Sequence, residues 1–123
     1  MWRVTYHSGT GVVEAVFGGE LTPEELRAAV ETTIDTARRH ASFLVLADCL
    51  ELQGGHSLFD LYALVDFLQD SGVPSSFREA LLMPGAGRDW VDGVEFWETA
   101  CLNRGLAVRI FSDRDAALAW LQE

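Results

Sequence analysis

The sequence predicts an α/β fold: a five-stranded, mostly parallel sheet with an antiparallel N-terminal strand and four helices. Three observations predict it. Apolar strand-like runs alternate with capped amphipathic stretches in the order β-β-α-β-α-β-α-β-α, and such alternation implies parallel strands joined by right-handed crossovers. Phe43-Leu44-Val45-Leu46-Ala47 is apolar without a break, the mark of a strand buried on both faces. The first two strand-like runs are joined tightly through Gly9-Thr10-Gly11, so they pair as an antiparallel hairpin.

The elements follow in order along the chain. Trp2 to His7 is aromatic and β-branched, and Val12 to Phe17 is rich in strand formers. Thr22-Pro23-Glu24-Glu25 opens the first helix. The Thr22 hydroxyl caps it, Pro23 suits its first position, and Glu25 completes a capping box. Leu26, Ala29, Val30, Ile34 and Ala37 recur at helical spacing. Arg38, Arg39 and His40 close that helix, where positive charge meets the negative end of the dipole. The apolar run from Phe43 ends at Asp48, and a loop with Gly54 and Gly55 follows. Ser57, with Asp60 three residues on, caps a second helix over about Leu58 to Asp70, which Gly72 and Pro74 end. Arg78 to Met83 is the fourth strand. Trp90, Val94, Trp97 and Cys101 mark a third helix over about Val91 to Arg104, stopped by Gly105. Leu106 to Phe111 is the fifth strand. Ser112-Asp113 caps the last helix, with Ala117, Trp120 and Leu121 on its inner face.

Length and composition bound the function. The 123 residues suit one domain spanning 1–123. Apolar residues make up 49%, which excludes wholesale disorder. The net charge of −10 argues against a nucleic-acid partner and against anionic lipid surfaces. Cys49 and Cys101 form no metal-binding or redox spacing and read as reduced thiols in a cytoplasmic chain. The start lacks a signal peptide, and no run of apolar residues is long enough for stable membrane insertion.

This order of elements, with particular residues, resembles the STAS domain of anti-sigma-factor antagonists and, more narrowly, its SpoIIAA-like branch. Gly19-Glu20-Leu21-Thr22 is similar to the family's Gly-x-Leu-Thr at the first helix. Asp48 at a strand end, before a loop into a helix, is similar to its signature region. Phe111-Ser112-Asp113 with Ala117-Leu118-Ala119-Trp120-Leu121 is similar to the ending of the SpoIIAA-like branch. In the regulatory members an Asp at the strand end precedes an Asp-Ser-Ser-Gly run, one serine of which a partner kinase phosphorylates. At the same spacing from Asp48 stand His56, Ser57, Leu58 and Phe59. Only the first serine is kept, which leaves Ser57 as a candidate phosphorylation or anion site at a helix N-terminus and equally as a plain N-cap.

The resemblance implies a non-catalytic regulatory or protein-interaction module. It also implies an alternative, since some SpoIIAA-like proteins are similar to CRAL-TRIO lipid carriers: a carrier or sensor of a small apolar ligand. The residues give no catalytic set. Asp48, Cys49, His56 and Ser57 share a region, but no oxyanion donor or orienting third group can be named. Pro84-Gly85-Ala86-Gly87-Arg88-Asp89 could cradle a phosphate, yet it matches neither a Walker A loop nor a dinucleotide fingerprint and reads as a turn. His7, His40 and His56 are too isolated for a metal site. No cofactor is expected.

The second helix is the most informative segment. Leu58, Leu61, Tyr62, Val65 and Leu68 read as one apolar stripe, with Phe59, Leu64 and Phe67 off it, so the helix should bury a second face. A second copy of the chain, a protein partner, an apolar ligand, or the third helix with its off-stripe Phe96 could cover that face. Phe59, Tyr62, Leu64, Phe67 and Phe96 are therefore the candidate interface or ligand surface.

Overall fold

The computed structural model describes residues 1–85 and 91–123. Among these, β1 (Trp2–His7) and β2 (Val12–Glu20) form the expected antiparallel hairpin, with Trp2 opposite Phe17 and His7 opposite Val12. Helix α1 (Pro23–His40) begins with the reciprocal capping box. The Thr22 hydroxyl accepts from the Glu25 N–H at 3.2 Å, and the Glu25 carboxylate accepts from the Thr22 N–H at 3.1 Å. There follow β3 (Leu44–Gly54), α2 (Leu58–Asp70), β4 (Arg78–Leu82), α3 (Val91–Asn103), β5 (Ala107–Phe111) and α4 (Arg114–Leu121).

The sheet order is β1-β2-β3-β4-β5, with β2 to β5 parallel. The unbroken apolar run therefore lies in the central strand, and Val45, Leu46 and Ala47 are all buried. Strand alternation divides the interior in two. Ala15, Phe17, Val45, Ala47, Cys49 and Leu81 face α1, α2 and α3 and form the larger core. Val12, Leu46, Ala80 and Leu82 face α4, packing on Ala117 and Leu121.

Two strands outrun their sequence limits. β3 continues past Asp48 to Gly54, and β2 past Phe17 to Glu20. The alternation persists there: Leu50 packs toward α4 and Leu52 is buried in the larger core. Beyond Asp48 the ladder involves β2 alone, through Gly18 with Glu51 and Gly19 with Leu52, and its register shifts twice. The break at Asp48 is thus the end of pairing with β4, whose last residue Leu82 lies opposite Asp48. No helix among the described residues is long and apolar enough to cross a membrane.

Candidate functional site

The connection from β3 to α2 is held by a close backbone approach. The Leu21 N–H donates to the Gly54 carbonyl at 2.8 Å. Gly55 has φ of +97°, and a Cβ there would stand 2.7 Å from the Leu21 nitrogen, so only glycine fits. His56 Nδ1 lies 3.1 Å from the Leu21 carbonyl. A carbonyl only accepts, so Nδ1 carries the proton. Ser57 then caps α2: its hydroxyl accepts from the Asp60 N–H at 3.1 Å, and Asp60 accepts from the Ser57 N–H at 2.8 Å. That bond to the Ser57 backbone, with the one to its side chain, holds the Asp60 carboxyl below the usual range. The Ser57 side chain is exposed.

The faces of α2 differ from the sequence reading. Leu61, Leu64, Val65 and Leu68 are buried, whereas Leu58 and Tyr62 are 50% and 48% exposed. Leu64 belongs to the core stripe, and Leu58 and Tyr62 do not. The reason lies in the neighbours. α2 packs against both α1 and α3, so it needs apolar residues on two flanks. Leu64 turns toward Leu26 of α1, and the Arg27 guanidinium lies 4.2 Å from the centre of the Phe67 ring. On the other flank Leu61 approaches Gly93, and Arg104 lies 4.9 Å from the centre of the Tyr62 ring while pairing with Asp66 at 2.8 Å. Phe67 and Phe96 are half-buried against the larger core. Phe59, 80% exposed, is left in water with Leu58.

Beneath α2 and α3 lies a cavity of about 80 Å³. Phe17, Ala47, Cys49 and Leu81 line it from the sheet, and Leu26, Leu61, Leu64 and Trp97 from the helices. His56 and Glu79 are its ionisable oxygen- or nitrogen-bearing side chains. Glu79 sits deep in the fold on β4, yet part of its surface stays accessible because it lines this space. Among the described residues its carboxylate accepts a hydrogen bond from Trp97 Nε1, at 2.6 Å. Burial pushes the Glu79 carboxyl up to about 7, and the Trp97 bond only partly offsets that rise. Burial likewise pushes the Cys49 and Cys101 thiols well above the ordinary thiol range, with the Glu79 charge adding to the effect. They are thiols, not nucleophilic thiolates, at neutral pH. A second void of about 30 Å³ shares Phe17, Val30, Glu79 and Trp97 with the first, so the Glu79–Trp97 pair stands in the wall between them.

Sequence reasoning missed Glu79. The signal was available: Phe77, Leu81 and Met83 are buried at period-two positions, and Glu79 is the acid in that inward row. Trp97 was assigned to a core stripe without its N–H being given a partner.

Of the four residues that the sequence brings close, the fold sets Asp48 and Ser57 apart and leaves Cys49 and His56 lining the same cavity. Asp48 and Cys49, adjacent in β3, point to opposite faces of the sheet. Asp48 accepts from the Leu50 N–H at 3.1 Å and lies 3.9 Å from Arg114 of α4. Cys49 lines the cavity on the other side, His56 is bonded to Leu21, and Ser57 caps its helix. On the α4 face Glu14 accepts from His7 at 2.8 Å and from Arg114 at 2.9 Å. Burial would raise the Glu14 carboxyl, but those two partners outweigh it and hold it below the usual range. Among the described residues no group of three or more His, Cys, Asp or Glu side chains is placed to hold a metal ion. The glycine-rich stretch weighed as a phosphate cradle falls outside the described residues from Ala86 to Asp89.

The family model described as SpoIIAA-like matches residues 12–122. Among solved structures, the chain is similar to an uncharacterized protein of the DUF3478 family with a SpoIIAA-like fold from Shewanella loihica PV-4. The TM-score is 0.64 at 20% identity, over 98% of this chain and 92% of that one. At that identity the likeness is one of fold. No curated protein matches the sequence.

Proposed function

The chain belongs to the SpoIIAA-like family, and on that premise we propose that it is a non-catalytic STAS-type domain that holds a small apolar ligand beneath α2 and α3. The observation that carries this reading is the cavity of about 80 Å³ in the larger core. Interiors normally close-pack, and a void this size forfeits contacts that a ligand would restore. An apolar cavity of ~150 Å³ accommodates a benzene-sized molecule, so the resting cavity suits a few heavy atoms or the tip of a longer chain. The setting is cytoplasmic, where Cys49 and Cys101 remain reduced.

Native mass spectrometry of the purified protein tests the reading. The expected result is a bound small molecule that is lost in Gly93→Leu. A Cβ at Gly93 would lie 3.4 Å from Leu61 Cδ1, and the rest of a leucine side chain would occupy the cavity mouth. A ligand-free wild type whose melting temperature is unmoved by small hydrocarbons would sink it.

A second reading is favoured by the exposed first turn of α2. Leu58, Phe59 and Tyr62 leave apolar surface in water on a chain of net charge −10, as a regulatory module that meets a protein partner or a second copy of itself would. Ser57, at the edge of this surface, is where a phosphate would switch such an interaction. The net charge of −10 supports no nucleic-acid partner, and among the described residues no helix is long and apolar enough to cross a membrane. Light scattering separates the cases: a dimer that Phe59→Ser dissociates supports self-association, and equal monomer masses exclude it.

A further inference from the structure

We propose that Glu79 is the head-group subsite of the cavity, and that it selects a small amphiphile ending in a protonated amine over one ending in a carboxylate. The inference rests on the cavity being a ligand site and concerns what that site prefers.

The argument begins with what the lining offers. Among the described residues, apart from Glu79, His56, the Cys49 thiol and the Trp97 N–H, the cavity is walled by hydrocarbon. Among the described residues no Lys or Arg lines it. Among the described residues Glu79 takes one hydrogen bond, from Trp97 to Oε1, whereas an ionised carboxylate has about four acceptor positions. Capacity to accept therefore remains, in a space from which an apolar ligand would exclude water. A pure hydrocarbon would leave that capacity unmet, and an unmet buried acceptor is costly. A ligand carboxylate would bring a second negative charge beside the first, with no Lys or Arg among the described lining residues to offset it. An ammonium group supplies donors and cancels the charge, a charge-assisted bond of the stronger kind.

The titration of Glu79 supports the same choice. Its carboxyl, pushed up to about 7 by burial, is only partly ionised near neutrality. A cation draws the remaining proton off, so amine uptake releases a proton and tightens as the pH rises. The groups facing Glu79 are Cys49 on β3, Cys101 and Trp97 on α3, and His56 on the loop before α2. Into this cavity α1 and α2 present Leu26, Val30, Leu61 and Leu64, and in the second void α1 adds Thr33, whose hydroxyl donates to the Ala29 carbonyl. Glu79→Gln removes the carboxylate and leaves the other groups facing it in place, so the variant isolates its part in binding.

The test uses xenon, n-butylamine and butyrate as probes, read by the indole N–H resonance of Trp97, identified by its absence in Trp97→Phe. Xenon reports the cavity alone. In the wild type, n-butylamine should saturate at a concentration at least ten-fold below butyrate. Its affinity should rise about ten-fold from pH 6 to pH 8, as the ionised fraction of Glu79 rises. Glu79→Gln should keep xenon binding and lose both the amine preference and the pH dependence. Equal binding of amine and carboxylate, or a preference or pH dependence that survives in Glu79→Gln, overturns the proposal. Xenon binding without amine binding overturns it and leaves the cavity reading standing. Absence of xenon binding overturns both.

Discussion

Glu79 sets a pH dependence whose sign follows from burial. Its carboxyl is raised to about 7 in the folded chain against an ordinary value near 4.5. Between those values the folded state binds more protons than the unfolded state, so stability falls as the pH rises through this window and levels off above it. Removing the charge removes the fall. The stability difference between Glu79→Gln and wild type should shift in favour of the variant by about 2–3 kcal/mol from pH 5 to pH 8. Urea denaturation at the two pH values measures it, and parallel curves would show that Glu79 does not titrate with folding. Gly55 is the second residue with a sharp expectation. Its φ of +97° and the Leu21 backbone 2.7 Å from a Cβ combine backbone strain with a clash. Gly55→Ala should cost about 2–4 kcal/mol, seen as a lowered urea midpoint. Gly54→Ala, where φ is +99° but no atom lies within 4 Å of a Cβ, should cost less.

Among the elements, α2 separates what the sequence makes legible from what it does not. Its limits follow from local chemistry, the Ser57–Asp60 capping box at one end and Gly72 beyond the other, and both stand as expected. Its orientation does not follow locally. Leu61, Val65 and Leu68 fit either of two stripes, one widened by Leu58 and Tyr62 and one by Leu64. Which stripe meets the core depends on α1 and α3 packing on either side, and that is tertiary information. Glu79 was hard to place for a related reason: its role depends on Trp97 reaching it from α3. β3 was read short because Asp48 looks like a terminus, although Leu50 and Leu52 carry the alternation onward. The outer face of α2 gives a direct expectation. Phe59 is 80% exposed, so Phe59→Ser should change the stability of the isolated chain by no more than about 0.5 kcal/mol. A loss of several kcal/mol in a thermal melt that also depends on protein concentration would mean that the ring is covered by a second copy.

At the scale of the whole molecule, the sheet was legible because each strand neighbours the next in sequence, β1-β2-β3-β4-β5. An alternation of apolar runs then maps directly onto spatial order. The same arrangement has a consequence for how the chain acquires its structure. Each strand with its helix can dock on the edge left by its predecessor, so the sheet can grow from the N-terminus as the chain is synthesised. α4 is the exception. Arg114 reaches back to Glu14, and Gln122 donates to the Thr10 carbonyl at 3.0 Å. Until these last residues arrive, the face carrying Val12, Leu46, Ala80 and Leu82 has lost its cover from Ala117 and Leu121. A chain ended after Phe111 should therefore complete its five strands and yet aggregate or bind a hydrophobic dye, whereas supplying residues 112–123 as a separate peptide should suppress both. The C-terminal helix is in this sense a closing piece: the fold can be assembled in order up to its last strand, but remains adhesive until its last tenth has folded back onto its beginning.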